Sequence, residues 1–287
     1  MIPSVNFHLW EPCNMRCKFC FATFQDVKKT ILPKGHLSKE KAIEVVEQLA
    51  EIGFEKITFA GGEPTLCPWL PELIAIAKGH GLTTMIVTNG SRLSDSFLAQ
   101  NVSCLDWIAL SVDSIEHQTN LLSGRAITGK QVLSEQEYHL IANKVKSFGY
   151  GLKINTVVHR YNYTENLTAL IKAVKPKRWK LLQALPIKGE NDRHIAEFAI
   201  TKSEFQQFLD RHIIAEEYTS VVVEDNEKMK GSYAMVDPAG RFFNNMGESY
   251  NYSKPIQKIG SRFAIQQMNY SFSKFFRRKG LYDWVLD

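Results

Sequence analysis

The chain has 287 residues, of which 44% are hydrophobic and 23% charged, so it can bury the core of one large domain or two small ones. Its formal net charge of +5 is a mild surplus that allows an anionic ligand without requiring nucleic acid. No apolar run is long enough to span a bilayer, and the opening MIPSVNFHLW leaves no room for a signal peptide, so we expect a cytoplasmic protein with no membrane or nucleic-acid partner.

Strand-like runs alternate with amphipathic helical patterns along the first two thirds of the chain. The strand patterns are SVNFHLW, KITFAGG, TTMIVTNG, DWIALSVD, LKINTVVH and WKLLQAL. Helical patterns such as SKEKAIEVVEQLAEIG lie between them, the first with Ser38 as N-cap and Gly53 as stop. This alternation predicts parallel strands joined by crossover helices. Six strands fall short of eight, so we predict an α/β fold with a partial (β/α)6 TIM-like barrel.

The remainder of the chain has a different pattern. The segment TSVVVEDNEKMKGSYAMVDPAGRFFNN predicts two strands joined across a polar connection, with a turn at DPAG. The final segment, rich in Phe, Lys and Arg, predicts a helix. We find no repeat and no linker composition, and therefore predict one domain with residues 1–190 as the barrel core and residues 191–287 as a C-terminal extension that covers the site.

Three cysteines directly follow the first strand pattern, in EPCNMRCKFCF. Cys13, Cys17 and Cys20 have the spacing C-x3-C-x2-C, which lets one tight loop gather three thiolates. Three protein ligands on a four-iron cluster leave one iron open to a small molecule. A structural zinc site completed by His8 or His36 is the alternative, but zinc sites usually use paired C-x2-C knuckles and the sequence has no second one. The spacing therefore favours an iron–sulfur cluster.

This cysteine motif, with its aromatic Phe19 and Phe21, resembles the signature of the radical S-adenosylmethionine (SAM) superfamily. The AGGEP turn after the second strand pattern strengthens the resemblance. It implies a barrel of the radical SAM type, a [4Fe-4S] cluster on the three cysteines, SAM as the missing ligand, and an external flavodoxin- or ferredoxin-like electron donor. The turn would offer backbone groups to the amino group of SAM. The predicted SAM-binding residues are Gly61, Gly62, Glu63, Pro64, Asn89, Ser111 and Arg125.

Polar residues at other strand ends agree with this site. Parallel βα folds place their active sites at the carboxyl ends of the strands. Asn89, in TNGS, follows the third strand pattern, and Ser111 with Asp113 lies late in the fourth. Each is alone an ordinary turn or core residue, but their shared position favours a site.

Four further segments narrow the resemblance to the viperin-like family: LSGRA, KINTVVHRYN, RWKLLQALPIKGEN and NEKMKGSYAMVD. The resemblance implies an antiviral dehydratase that converts CTP, UTP or GTP to the 3′-deoxy-3′,4′-didehydro nucleotide, after a 5′-deoxyadenosyl radical takes the ribose 4′-hydrogen. It also implies that Arg125 pairs with the carboxylate of SAM and that Tyr233 acts late in turnover. The implied substrate residues are Asn6, Lys153, Asn155, Arg178 and Lys180.

Residue alternation supports the phosphate contacts. Lys153 and Asn155 flank one apolar residue, and Arg178 and Lys180 flank another, so each pair can point into the barrel. Buried cations require partners, and Arg and Lys both bind phosphate. Solvated lysines at strand edges would explain either pair alone. Both pairs together predict a triphosphate clamp.

Two alternatives belong to other classes. A radical SAM enzyme acting on a peptide or RNA normally brings an extra domain, a second cysteine cluster or a more basic surface. A metal-bound structural or electron-transfer module would need neither the GGEP turn nor a cationic barrel interior. The sequence favours the nucleotide enzyme over both.

Overall fold

Ten strands form one sheet in the computed structural model, which describes residues 2–284. In chain order they are β1 (Ser4–Trp10), β2 (Lys56–Gly61), β3 (Thr83–Thr88), β4 (Trp107–Ser111), β5 (Gly151–Val158), β6 (Arg178–Gln183), β7 (Ser220–Glu224), β8 (Ala234–Val236), β9 (Phe242–Asn244) and β10 (Asn251–Tyr252). Their spatial order is β10-β9-β8-β1-β2-β3-β4-β5-β6-β7. Strands β8 to β7 in this order are parallel, whereas β9 and β10 are antiparallel additions.

Helices connect the parallel strands and continue beyond them. They are α1 (Lys39–Glu51), α2 (Leu70–Gly79), α3 (Asp95–Asn101), α4 (His117–Leu122), α5 (Glu135–Ser147), α6 (Thr168–Val174), α7 (Asp192–Phe198), α8 (Lys202–Arg211), α9 (Asn226–Met229), α10 (Ile256–Ile259), α11 (Ser261–Gln266) and α12 (Phe272–Arg277). The Ser38 hydroxyl accepts a hydrogen bond from the Lys41 amide at 3.4 Å, and Gly53 follows α1 with a φ of +95°. The predicted cap and stop of this helix are therefore both confirmed.

The parallel strands extend further than the pattern predicts. All six predicted strands are present, and β7 and β8 add one parallel strand to each edge. Both strands predicted in the segment 219–245 are present as β7 and β8, joined along the chain by a polar connection that contains α9, and the predicted DPAG turn leads from β8 to β9. Their pairing was not predicted: β7 pairs with β6, whereas β8 pairs with β1 and β9. An apolar run shows that a strand forms but not which edge it joins. Within residues 2–284, β7 and β8 are not paired with each other, so the barrel has an open seam there.

Side-chain alternation gives the sheet two different faces. Phe7, Ile154 and Trp179 are buried in the main hydrophobic core. Their strand neighbours Asn6 and Lys153 instead line a central cavity of about 1070 Å³. Because a strand turns successive side chains to opposite faces, the same strands supply both the core and the site.

The C-terminal extension closes the cavity at the amino ends of the strands. The indole nitrogen of Trp107, at the start of β4, donates to the Trp284 carbonyl at 2.7 Å. Lys279 and Tyr282 line the cavity floor beside Arg178, the first residue of β6. The extension also supplies β7 to β10 to the common sheet. Of the predicted ranges 1–190 and 191–287, Met1 and residues 285–287 lie outside the described residues.

Candidate active site

The loop after β1 carries the three cysteines to the carboxyl end of the barrel. Cys13, Cys17 and Cys20 are free thiols that line the cavity. The side-chain amide of Asn89 donates to Asn14 Oδ1 at 2.8 Å, which ties the loop after β3 to the cysteine loop. The structure therefore brings these two predicted segments together.

Two glycines let other loops pack tightly against the cysteine loop. A Cβ at Gly62 would collide with the backbone carbonyl oxygens of Glu11 and Pro12. Gly124 has a φ of +77°, and a Cβ there would collide with the carbonyl oxygen of Arg16. Glycine is thus required at both positions, because only a bare backbone fits the space.

The side chain of Glu63 is occupied within the protein. Its Oε1 accepts from the Thr88 hydroxyl at 2.7 Å and from the Thr65 amide at 3.1 Å, and its Oε2 accepts from the Asn89 amide at 2.8 Å. Burial raises the pKa of this carboxyl, and the hydrogen bonds oppose that rise. Glu63 therefore fixes the ends of β2 and β3 to each other. Gly61 and Gly62 line the cavity beside it, whereas Pro64 does not.

Arg125 is a buried cation beside the cysteine loop. Its Nε donates to Asp113 Oδ2 at 2.6 Å, and its Nη1 lies 4.0 Å from Cys17 Sγ. Burial disfavours the charged guanidinium, but the Asp113 carboxylate outweighs burial and raises the Arg125 pKa. Asp113 also accepts from the Val157 amide at 2.8 Å, which fixes the carboxylate to β5. Ser111, at the end of β4, lines the same cavity.

Cations from several elements line the opposite end of the cavity. The predicted residues Asn6, Lys153, Asn155, Arg178 and Lys180 all lie there, with each cation at most 6% exposed. Lys153 lies opposite Arg178, and Asn155 opposite Lys180, in the β5–β6 pairing. Lys56 and Arg278 join them, also buried. Five cationic side chains therefore surround one end of the cavity.

Burial and mutual repulsion perturb these lysines. Burial is the main cause that lowers the pKa of Lys56 and Lys153 well below the ordinary value, and the charge of Lys180 adds to it. Burial also lowers the pKa of Lys180 to about 8, against the opposing charge of Glu224. Within the described part of the chain, Lys153 makes no salt bridge. An anion entering the cavity would supply the missing countercharge.

Tyr233 lies at the open seam, next to these cations. Its hydroxyl donates to Glu224 Oε2 and accepts from Lys180 Nζ at 2.8 Å. The Arg278 guanidinium stacks on its ring, 3.6 Å from the ring centroid. Burial raises the Tyr233 pKa well above its ordinary value, so the side chain is a neutral phenol at neutral pH.

Sequence reasoning missed three residues of this cluster. Lys56 begins the KITFAGG strand pattern, where the alternation that identified Lys153 would have found it. Arg278 lies in the basic run KFFRRKG, which has the composition of a solvated helix face. Glu224 ends a strand whose partner was not predictable, so no local signal marked it.

Comparisons with known proteins place the chain in a family. The Radical SAM superfamily model matches residues 10–200. A Lacinutrix mariniflava protein named S-adenosylmethionine-dependent nucleotide dehydratase is 58% identical over 283 residues, which are 99% of this chain and 59% of that protein. A Flammeovirga pacifica protein of the same name is 54% identical over 284 residues, 99% of this chain and 97% of that protein. The Danio rerio protein of that name, RSAD2, is 35% identical over 291 residues, 98% of this chain and 78% of that protein.

The chain is a viperin-like member of the radical SAM superfamily.

Solved structures agree with the fold of this radical SAM protein. Native anSMEcpe with bound AdoMet has a TM-score of 0.70 and 16% sequence identity to it. The match covers 96% of this chain and 82% of that one. At this identity the likeness concerns the fold alone, and it confirms the predicted partial TIM-like barrel.

Membership of the radical SAM superfamily implies a [4Fe-4S] cluster and SAM. The donor set fits both, because Cys13, Cys17 and Cys20 share one loop and one cavity with Arg125 nearby. Burial raises the pKa of Cys17 to about 12 and that of Cys20 to about 11. These thiols therefore stay protonated until iron displaces their protons. As ligands of such a cluster, the three cysteines would leave one iron open for SAM.

Proposed function

We propose that this radical SAM protein is a nucleoside triphosphate dehydratase, which converts CTP, UTP or GTP to its 3′-deoxy-3′,4′-didehydro analogue. One observation carries the proposal: five buried cations line one end of a cavity whose other end carries three thiols. The names of the relatives at 58% and 54% identity support it. The chain spans 59% of the length of the first relative, so the activity is inferred from the site and these names together.

The cation end binds the triphosphate. Arg178 forks onto phosphate oxygens, while Lys56, Lys153 and Lys180 act as point charges. The triphosphate replaces the water lost on burial and supplies a countercharge to Lys153, while it shares Lys180 with Glu224. In the β1–β2 pairing, Ser4 lies opposite Lys56. Asn6 is the next residue of β1 that faces the cavity, and it lies nearer to the cysteine loop than Ser4 does. That position suits a contact with the ribose.

The cysteine end holds the cofactors. The cluster and SAM together supply a 5′-deoxyadenosyl radical able to take the ribose 4′-hydrogen. Arg125, oriented by Asp113, pairs with the carboxylate of SAM. The backbone of the turn Gly61, Gly62, Glu63 and Pro64 receives the amino group, and Asn89 and Ser111 complete the cofactor pocket. Clamping the triphosphate at the far end fixes the ribose against SAM, which supplies the orientation the reaction requires.

Tyr233 acts late in the reaction. A proton given to the 3′-hydroxyl lets it leave as water, and a second electron then completes the nucleotide product. The Tyr233 phenol is neutral, lines the cavity and adjoins the phosphate clamp. It delivers the proton that the departing 3′-hydroxyl takes up.

The proposal includes a flavodoxin- or ferredoxin-like electron donor, a cytoplasmic location, antiviral defence, and no nucleic-acid or membrane partner. It divides the chain into a core, 1–190, and an extension, 191–287, that completes the nucleotide site. Among residues 2–284, none of the helices has the length and apolar character needed to cross a bilayer. A peptide offers no row of phosphates to the five cations, and an RNA backbone does not fit a barrel end closed by residues 275–282.

The test is an anaerobic assay of the reconstituted protein with SAM, a reductant and each nucleoside triphosphate in turn, followed by mass spectrometry. We expect 5′-deoxyadenosine together with a nucleotide lighter by one water. The nucleoside triphosphate that reacts identifies the preferred base. If 5′-deoxyadenosine forms equally with and without every nucleotide, radical SAM chemistry stands and the dehydratase proposal falls.

A further inference from the structure

Glu224 links β7, at one edge of the sheet, to the segment directly before β8, which pairs with β1 and β9. It is the last residue of β7 and has no exposed surface, while Tyr233 directly precedes β8. No strand pairing links β7 to β8 within the described residues. The hydrogen bond from the Tyr233 hydroxyl to Glu224 Oε2 spans this seam. A side-chain contact thus stands where a closed barrel would have a strand ladder.

The other oxygen of Glu224 binds two cations of the proposed phosphate clamp. Lys180 Nζ lies 2.6 Å and Arg278 Nη1 3.2 Å from Oε1. Arg278 also donates from Nε and Nη2 to the Ser232 carbonyl, at 3.2 and 3.1 Å. One carboxylate therefore holds both the Tyr233 hydroxyl and two of the five cations.

Glu224 is ionised across the physiological range. Burial alone raises the pKa of its carboxyl, but the charges of Lys180 and Arg278 outweigh burial and bring the pKa to about 2. A triphosphate at this end of the cavity would meet a fixed negative charge that shares its cationic partners. Carboxylate and phosphate repel each other most strongly where burial excludes water.

We propose that Glu224 is a positioning residue with two opposed effects: it holds the Tyr233 hydroxyl in place for turnover, and it weakens triphosphate binding by competing for Lys180 and Arg278. This inference rests on the proposed nucleotide function. A residue that served only to close the barrel would support binding and turnover alike. Tighter triphosphate binding together with slower turnover in a Glu224 variant would therefore distinguish a positioning role from a purely structural one.

The test compares Glu224→Gln with the unmodified holoenzyme, both carrying cluster and SAM. Calorimetry without reductant measures binding of the nucleoside triphosphate that the enzyme turns over. Because Gln keeps the shape and loses the charge, we expect Kd to fall about tenfold. With reductant, we expect less dehydrated nucleotide per 5′-deoxyadenosine formed, because the Tyr233 hydroxyl has lost its ionic acceptor. Weaker binding together with slower turnover would overturn the proposal.

Tyr233→Phe provides a second route that leaves the charge of Glu224 in place. We expect it to lower the product ratio, which is the amount of dehydrated nucleotide formed per 5′-deoxyadenosine, without tightening triphosphate binding. In the double variant we expect Glu224→Gln to cause no further loss of product ratio. If the two losses add, Glu224 does not act through Tyr233 and the proposal fails. Should Glu224→Gln not fold, an unchanged product ratio in Tyr233→Phe overturns the proposal by itself.

Glu227→Gln is the matched control, since Glu227 is exposed, three residues along the chain, and pairs with Lys230 at 3.1 Å. It should leave binding and product ratio unchanged. Failure of the proposed function has a different signature: the unmodified holoenzyme would then form no dehydrated nucleotide from any nucleoside triphosphate.

Discussion

Asp113 Oδ2 lies 2.6 Å from Arg125 Nε, and both side chains are buried. The second oxygen of this carboxylate accepts a hydrogen bond from the backbone of β5. Asp113 therefore fixes the guanidinium to the barrel wall rather than to the loop that carries Arg125. This pair aims the remaining donors of Arg125 at the space beside the cysteine loop. The cofactor end of the cavity is thus oriented by a residue that does not have to touch SAM.

Replacing that orienting carboxylate should weaken SAM binding. In Asp113→Asn we expect Kd for SAM to rise about tenfold, because removing one partner of a buried pair leaves the other charge misplaced. Calorimetry on the reconstituted protein measures this. Asp95→Asn, at an exposed pair with Lys144, is the control. Unchanged SAM affinity in Asp113→Asn would contradict the proposed contact between Arg125 and SAM.

The three cysteines should be individually required for iron, and the remaining cysteines should not. Cys17→Ala leaves two thiols on the loop, too few to hold a cluster that already lacks a fourth protein ligand. We expect reconstituted iron and sulfide to fall severalfold, measured by chemical analysis and visible absorbance. Cys104→Ala, between α3 and β4, should retain both. Full iron content in Cys17→Ala would contradict the cluster assignment.

Triphosphate binding should take up protons. In the empty cavity, burial lowers the pKa of Lys180 to about 8 and those of Lys56 and Lys153 well below their ordinary value. A bound triphosphate favours the charged forms and raises these pKa values, so the complex holds more protons than the free protein. Affinity then declines as the pH rises through about 8.

Calorimetry in buffers of different ionisation enthalpy measures that uptake directly. The observed heat should change with the buffer, in the direction of protons moving onto the protein. Lys153→Met should reduce the number of protons taken up. A heat independent of buffer would mean that the lysines are already charged in the empty cavity.

Lys56 should matter for nucleotide binding although the sequence pattern did not single it out. Its Nζ donates to the Tyr282 hydroxyl at 2.6 Å, at the closed end of the cavity. Loss of a charge-assisted contact to phosphate in Lys56→Met should raise the nucleotide Kd about tenfold or more, with SAM binding unchanged. Lys202→Met, exposed at the start of α8, is the control. Equal loss of SAM and nucleotide binding would indicate a general folding defect instead.

Local patterns predicted those features that depend on local spacing. The cysteine loop follows from the positions of Cys13, Cys17 and Cys20, and the inward direction of Lys153 and Lys180 from strand alternation. The shared binding of Lys180 and Arg278 to Glu224 could not be predicted in this way. It depends on β7 pairing with β6 and β8 pairing with β1, a tertiary arrangement that no short window of sequence encodes.

The closed end of the barrel has a consequence for the newborn chain. Ribosomes make the cysteine loop early and residues 272–284 long afterwards, yet Arg278 and Tyr282 belong to the same cavity as the thiols. A half-translated chain therefore has the three cysteines while Arg278 and Tyr282, which line the other end of the cavity, are still missing. On the proposed function, such a chain can form its cysteine loop before it can bind nucleotide, because the end of the cavity proposed for the triphosphate is closed by the last segment to be made.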